Sequence, residues 1–197
     1  MGWLRIWESG SAMRILLVLS MLLLSAPVLA GEALWTALKS KHHFVLVRHA
    51  LAPGYSDPDG FQVKDCQTQR NLNETGRQQS RQIGGLFKSH GIAKAAVYSS
   101  QWCRCLETAR LLGLGDVSEL PALNSFFQHF ERKKNQTDQT VEWIRRASLS
   151  VPTVLVTHQV NIAALMGYSP NSGQLIFVRR DPTGALTVIG TIDTLHS

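Results

Sequence analysis

An apolar run that stops at two basic side chains constrains the fold of this 197-residue chain most strongly. The stretch "FVLV", residues 44–47, has the unbroken hydrophobicity of a strand that is buried on both faces, and Arg48 and His49 follow it directly. A buried strand has no packing reason to end in a guanidinium and an imidazole. The pattern therefore predicts a central strand that delivers Arg48 and His49 to one edge of a sheet.

Strand-like and helix-like segments alternate along the rest of the chain. "AAVYSS", "TVLVTH" and the pair "GQLIFVRR" and "ALTVIGTI" predict strands, the last two as a closing hairpin. Helices are predicted between them, with Asn73 and Thr137 as N-caps and Gly91 ending the helix that Asn73 begins. The long irregular stretch 51–71 predicts a binding loop or a disordered segment. The alternation predicts one α/β domain, a three-layer α/β/α sandwich with a mostly parallel central sheet.

Residues 1–30 have the composition of a secretory signal peptide. A basic start at Arg14 is followed by an apolar run and then by Ala30, a small residue suited to cleavage. The run has about half of the roughly 20 residues that a spanning helix needs. We therefore expect cleavage after Ala30, no stable membrane insertion afterwards, and a periplasmic or secreted domain over residues 31–197. A retained anchor is the alternative, and Met13 is an alternative start.

The basic composition indicates an anionic partner. The chain has 20 Lys and Arg against 14 Asp and Glu, a formal charge of +6, and removal of residues 1–30 with their two arginines and one glutamate leaves +5. A basic domain either follows nucleic acid or concentrates a small anion in one cleft. The sequence has no dense Lys/Arg run and no nucleic-acid-binding motif, which favours a small phosphorylated substrate and no nucleic acid.

Three cysteines, Cys66, Cys103 and Cys105, would lie in an oxidising compartment after export. Cys103 and Cys105 are too close in sequence to pair easily, so one disulfide would join Cys66 to either of them and leave one thiol. Three unpaired thiols are the alternative, because sequence spacing does not determine connectivity.

Basic and imidazole groups follow three of the predicted strands. Arg48 and His49 end the first, Arg104 comes shortly after "YSS", and His158 ends "TVLVTH". In an open α/β sheet the carboxyl ends of the strands form the ligand-binding edge. Two arginines and two histidines at that edge predict an anion pocket that contains a nucleophile.

Four segments, in this order, resemble the motifs of the histidine phosphatase superfamily, also called the phosphoglycerate mutase-like family. "LVRHA" resembles its Arg-His-Gly motif, "RNLNETGRQQS" a helix start, "YSSQWCRCLETA" the second-arginine segment and "VTHQ" the second-histidine motif. They extend from about residue 43 to about residue 167. The resemblance implies a phosphoglycerate mutase-like fold, and the chain looks most like the periplasmic branch that includes lipopolysaccharide-core heptose phosphate phosphatases.

The resemblance also implies the roles of the four strand-end residues. His49 would attack phosphorus and form a phosphohistidine that water hydrolyses. Arg48 and Arg104 would bind the phosphoryl oxygens, and His158 would donate a further hydrogen bond to them. These cationic groups would replace a metal ion, so no metal or other cofactor is expected.

Substrate contacts are expected from Arg70, Asn71 and Ser125. By the resemblance, Arg70 and Asn71 face the phosphate pocket, with a solvated loop end as the alternative. Ser125 stands where the mutase-like branch has a glutamate proton donor.

The usual proton donors of the family are missing. Besides Ser125, Gln159 follows His158 where the acid phosphatase branch has an aspartate, and Ala50 replaces the glycine after His49. General acid catalysis is typically worth about 10² to 10⁴ in rate. Either a loop residue therefore supplies the proton, or the leaving group needs little protonation, as in phosphohistidine, phosphoanhydrides or activated aryl phosphates. The loop candidates are Asp57, Asp59, His129 and Glu131.

The sequence thus predicts a metal-independent phosphomonoester hydrolase that works through His49, with a cell-envelope sugar phosphate as the expected substrate. The alternative is a non-catalytic phosphate-binding protein of the same fold that kept the pocket and lost the proton donor.

Overall fold

The computed structural model describes residues 26–194, and the side chains of residues 31–194. The predicted signal sequence therefore lies mostly outside the described residues. The chain divides between Ala33 and Leu34 into two units, and the described part of the first is the beginning of a helix, α1 (Ala26–Leu38). Within the described residues no helix is both long and apolar enough to cross a membrane.

A six-stranded sheet forms the centre of the second unit. Its strands are β1 (His43–Arg48), β2 (Ala96–Ser99), β3 (Val117–Glu119), β4 (Thr153–Thr157), β5 (Leu175–Arg180) and β6 (Leu186–Ile192), in the spatial order β3-β2-β4-β1-β5-β6. β3, β2, β4 and β1 run parallel, whereas β5 is antiparallel to both of its neighbours. The predicted mostly parallel sheet and closing hairpin are confirmed.

In the described part of the chain, four helices follow α1, and three short 3-10 turns lie in the loops. The helices are α2 (Glu74–Ser89), α3 (Cys103–Leu111), α4 (Lys133–Arg146) and α5 (Gln159–Met166), and the turns are Cys66–Thr68, Pro121–Leu123 and Phe130–Arg132. The Asn73 side chain caps α2 by accepting from the backbone N–H of Gly76, as predicted. The predicted cap at Thr137 is wrong: α4 begins at Lys133, and the Thr137 hydroxyl donates to the Lys133 carbonyl inside the helix.

Alternate side chains of β1 pack on the two faces of the sheet. Val45 and Val47 belong to a core with residues of α2 and α3 and with Trp35, whereas Phe44 and Leu46 belong to a second core with residues of α4 and α5. Because the four apolar residues are fully buried, β1 needs helices on both sides. The three-layer sandwich is confirmed, and it places the carboxyl ends of β1, β2 and β4 at one edge.

Candidate active site

The structure brings the predicted histidines and arginines together at the carboxyl edge of the sheet. His49 follows β1, His158 follows β4 and caps α5, and Arg104 lies in the first turn of α3, which follows β2. Their exposed fractions are only 2%, 3% and 3%, although each carries a polar or charged group. They line a cleft of about 180 Å³ together with ten other residues: Arg48, Gly54, Tyr55, Ser56, Asp57, Arg70, Ser125, Phe127, Gln159 and Val160.

The His49 ring is held in one tautomer. Its Nδ1 lies 2.8 Å from the carbonyl oxygen of Ala50, and because a carbonyl only accepts, Nδ1 carries the hydrogen. Nε2 therefore keeps its lone pair, toward which the Nε–H of Arg104 points at 3.3 Å. Burial, and then the charge of Arg104, lower the pKa of His49 well below its usual value, so the ring is neutral at pH 7. A buried neutral imidazole with an unprotonated Nε2 is a competent nucleophile once the phosphoryl group takes over the contact with Arg104.

The backbone beside His49 is fixed by two helices. The N–H of Ala50 donates to the hydroxyl of Thr108 on α3, and the N–H of Leu51 donates to the side-chain carbonyl of Gln79 on α2. Ala50 does not adopt a positive φ, so its methyl group is accommodated where the family has glycine.

Arg104 divides its donors between a carboxylate and the reaction centre. Nη1 and Nη2 donate to the two oxygens of Asp57 at 2.7 and 3.1 Å. The other edge of the guanidinium faces the histidines, with Nε near His49 and Nη2 3.5 Å from Nδ1 of His158. Arg104 can thus present two donors to a phosphoryl group while Asp57 holds it in place.

Asp57 does not have the environment of a proton donor. Its carboxylate accepts four hydrogen bonds: two from Arg104, one from the indole N–H of Trp102 and one from the backbone N–H of Arg70. Burial raises the pKa of Asp57, but the hydrogen bonds and charge of Arg104 outweigh it, and the net pKa lies below its usual value. This environment does not favour the predicted role of Asp57 as a general acid and instead favours an anion that orients Arg104.

The other three candidate donors lie outside the residues that line the cleft. His129 and Glu131 are exposed, and their side chains contact each other at 3.3 Å. Asp59 is likewise exposed on the 51–71 loop. The first hypothesis, a proton supplied by one of these loop residues, therefore has no support in this arrangement.

His158 is hydrogen-bonded on the side away from Arg104. Its Nε2 lies 2.9 Å from the hydroxyl of Ser100, which in turn donates to the side-chain oxygen of Asn124. That oxygen also accepts from the backbone N–H of Gln101, which identifies it as the acceptor. His158 therefore carries its hydrogen on Nε2 and turns the lone pair of Nδ1 toward Arg104. To donate to a phosphoryl oxygen from Nδ1, His158 must take up a proton with the substrate.

Arg48 and Arg70 complete the cationic lining. Arg48 donates through Nη1 to the carbonyl of Pro170, and Arg70 through Nη1 to the carbonyls of Ala52 and Gly54. The Nε atoms of both arginines are buried without a hydrogen-bond partner among the described residues. Burial, and then the charge of Arg104, lower the pKa of Arg70 to about 10, so it remains charged at pH 7. Buried charged donors of this kind are what an anion would satisfy.

The net charge of the cleft suits a dianion. Its three guanidiniums, on Arg48, Arg70 and Arg104, face one carboxylate on Asp57, and the two imidazoles are neutral. The resulting net charge of +2 matches a phosphate monoester above its second pKa of about 6.

Two of the three expected substrate contacts lie in the cleft. Arg70 and Ser125 line it, whereas Asn71 does not: its side-chain amide donates to the carbonyls of Cys66 and Gln69. Tyr55 and Phe127 also line the cleft, and the sequence did not predict this because aromatic residues in loops have no periodic signal.

A disulfide joins the loop of residues 51–71 to the catalytic helix. Cys66 pairs with Cys103, the residue before Arg104, which resolves the alternatives left open by the sequence. Cys105 is a buried free thiol 3.4 Å from Nε2 of His158, and burial raises its pKa to about 12. It is therefore a neutral packing group beside His158.

Comparison with known proteins finds one matching family. The profile of the histidine phosphatase superfamily (branch 1) matches residues 44–139, which contain Arg48, His49 and Arg104. No curated protein matches the chain.

Solved structures share the fold at low sequence identity. The protein histidine phosphatase SixA in complex with tungstate is 18% identical over 78% of this chain and 98% of its own, with a TM-score of 0.54. A phosphoserine phosphatase from Entamoeba histolytica is 12% identical over 78% and 98%, with a TM-score of 0.57. A mycobacterial glucosyl-3-phosphoglycerate phosphatase is 15% identical over 75% and 98%, with a TM-score of 0.55. The profile match over residues 44–139, together with the shared fold, indicates a phosphatase of the histidine phosphatase superfamily.

Proposed function

We propose that this protein hydrolyses phosphate monoesters through a phosphohistidine on His49, without a metal ion. The observation that carries the proposal is the buried, neutral His49, whose Nε2 lone pair lies among guanidinium groups. The bond from Nε2 to phosphorus forms as the bond from phosphorus to the leaving oxygen breaks. Water then attacks phosphorus, which releases inorganic phosphate and restores His49.

The guanidinium groups supply the electrostatic stabilisation in both steps. Arg104 offers the edge that Asp57 leaves free, and Arg48 and Arg70 each have a buried Nε–H without a partner among the described residues. Phosphoryl transfer depends mainly on positioning and on charge at the equatorial oxygens, which fixed cationic donors provide.

Turnover of p-nitrophenyl phosphate in the presence of EDTA tests this proposal. We expect hydrolysis by the wild type and a loss of at least about 10³-fold in His49→Ala, because that variant lacks the nucleophile. His129→Ala is the matched control, since this exposed histidine lies outside the cleft and its loss should leave turnover unchanged. Rapid quenching should also trap a phosphoryl adduct that is stable in alkali and labile in acid.

The rival function is binding of phosphate without catalysis. It would be indicated by calorimetric binding of inorganic phosphate to a protein with no turnover and no adduct. The unprotonated Nε2 of His49 favours the enzyme, because a binding protein needs only donors at that position.

The leaving group is the part of the substrate that the cleft constrains most. A sugar phosphate, the substrate expected from the sequence, leaves as an alkoxide and needs a proton. The carboxylate in the cleft is Asp57, which is held as an anion. We therefore favour a substrate whose leaving group is weakly basic, with a sugar phosphate as the comparison substrate.

We also propose export to the periplasm or the exterior. The Cys66–Cys103 disulfide supports an oxidising compartment. Fractionation of cells that express the full chain, followed by N-terminal sequencing, tests this, with Gly31 expected as the first residue. Recovery of the uncleaved chain in the cytoplasm would contradict it.

A further inference from the structure

Two aromatic side chains from separate loops meet at the mouth of the cleft. Tyr55 lies on the loop after β1 and Phe127 on the loop before α4, and both line the cleft. Their ring centroids are 5.2 Å apart and their planes are inclined at 80°. Tyr55 is nevertheless 82% exposed, so burial in the folded core does not explain it. We call Tyr55 and Phe127 the aromatic rim.

Both loops that carry the aromatic rim are tied to the phosphate site. Arg70 donates to the carbonyl of Gly54, the residue before Tyr55. The side-chain amide of Gln128, the residue after Phe127, donates to the backbone carbonyl of Asp57 at 3.2 Å. The rings therefore have a fixed relation to the arginines that would bind the phosphoryl group, as a specificity subsite requires.

The rim lies where the leaving group of a bound phosphate would emerge. His49, Arg104 and His158 close the inner end of the cleft and are almost fully buried, so the remainder of a substrate must extend toward exposed Tyr55 and partly buried Phe127. Paired aromatic rings favour a flat ring as their partner, by edge-to-face or offset stacking.

The lack of a proton donor in the cleft independently favours an aromatic leaving group. Asp57 is ion-paired, and Ser125 and Gln159, which occupy the positions of the family's acids, are neutral. A phenolate is a far weaker base than an alkoxide and departs without a proton from the protein.

We propose that the aromatic rim binds the leaving group and that the natural substrate carries its phosphate on an aromatic hydroxyl. The inference rests on the proposed function. In the first step the phosphorus–oxygen bond breaks, the phenolate keeps the electron pair, and it takes a proton from solvent after release.

Phosphonates test the rim without relying on turnover. Calorimetry would give dissociation constants of phenylphosphonate and methylphosphonate for the wild type, Tyr55→Ala, Phe127→Ala and Tyr55→Phe. Phenylphosphonate should bind the wild type about 3- to 10-fold more tightly than methylphosphonate, and each alanine variant should lose most of that preference. Methylphosphonate should bind all four proteins equally. Tyr55→Phe is the matched control, because it keeps the ring and removes only the hydroxyl.

Turnover of phenyl phosphate and glucose 6-phosphate provides the second arm. We expect kcat/KM for phenyl phosphate to exceed that for glucose 6-phosphate by at least about 10²-fold, the low end of the value of a missing general acid. A fall in the turnover of glucose 6-phosphate but not of phenyl phosphate in Tyr55→Phe, which would raise that ratio, would assign the phenol as a proton donor and overturn the inference.

The two arms separate failure of the inference from failure of the proposed function. Turnover without any preference for the ring, or alanine variants that weaken both phosphonates equally, would overturn the aromatic subsite alone. Binding of both phosphonates with no turnover of either phosphate would overturn the proposed function.

Discussion

The environment of one carboxylate decides how Asp57 acts. Its two oxygens each accept two hydrogen bonds, and its side chain is 5% exposed. The ion pair with Arg104 spans 47 residues of sequence. From the sequence alone, an aspartate in an Asp-Pro-Asp-Gly loop near the site was a reasonable proton donor, because nothing local reveals the buried partner.

Asp57→Asn distinguishes positioning from proton donation. We expect kcat/KM to fall by about 10- to 100-fold, by the same factor for p-nitrophenyl phosphate and phenyl phosphate, because a misplaced Arg104 weakens stabilisation of the phosphoryl group whatever the leaving group. The measurement is a comparison of the two substrates in both proteins. A deficit that grows with the basicity of the leaving group would instead make Asp57 the acid.

The same variant should lose stability. Removing one partner of a buried ion pair typically costs about 3–5 kcal/mol, and the amide recovers part of this by keeping hydrogen bonds. We expect urea unfolding to show a free energy of unfolding that is lower by about 2–4 kcal/mol in the variant. No change would mean that Arg104 is adequately solvated without Asp57.

At the scale of elements, the sequence was informative where hydrophobic patterns are long. The apolar runs of β1 and β4 and the Asn73 cap of α2 were predicted from the residues. Strand β3 was missed because it has three residues, only one of them apolar, and exists through its pairing with β2. The start of α4 was placed too late, since Thr137 satisfies its hydroxyl inside the helix.

Close packing of α2 against the chain after His49 gives a prediction about glycines. A Cβ at Gly76 would lie 2.1 Å from the carbonyl oxygen of Leu51, whereas a Cβ at Gly85 on the same helix meets nothing within 4 Å. Gly76→Ala should therefore destabilise the protein by about 1–3 kcal/mol through overpacking. It should also lower kcat, because Leu51 lies two residues from the nucleophile.

Gly85→Ala is the matched control for this prediction. It should stabilise the protein by about 0.5–1 kcal/mol, because alanine loses less backbone entropy in a helix. Urea unfolding of both variants beside the wild type measures the contrast. Equal effects would mean that the helix separates from Leu51 without cost.

For the whole molecule, the active site lowers the free energy of unfolding at acidic pH. Folding buries two imidazoles beside guanidinium groups, and burial is the larger cause of their lowered pKa values, followed by the charge of Arg104. Sequence patterns predicted that His49 and His158 meet at the sheet edge, because parallel strands share that edge. They did not show why the rings stay neutral, since burial depends on how the 51–71 loop and α3 cover them.

These two histidines set how stability depends on pH. In the unfolded chain they titrate near 6.5, whereas in the folded protein they remain neutral well below that value. The unfolded state therefore binds more protons below pH 6.5, and the free energy of unfolding falls as the pH is lowered. The two groups together should contribute a slope of up to about 2.7 kcal/mol per pH unit below 6.5 and almost none above 7.5.

Urea unfolding between pH 5.5 and 8 measures this slope, and His158→Asn should reduce it by about half because one of the two histidines is gone. Asp57 contributes with the same sign only at lower pH, since its lowered pKa protects the carboxylate down to values below its usual range. Saturating sulfate should raise stability across the range by mass action, because a bound dianion offsets the positive cleft. A stability that is flat or rises from pH 7 to 5.5 would mean that His49 and His158 are charged in the folded protein, and His49 would then lack the lone pair on which the proposed catalysis depends.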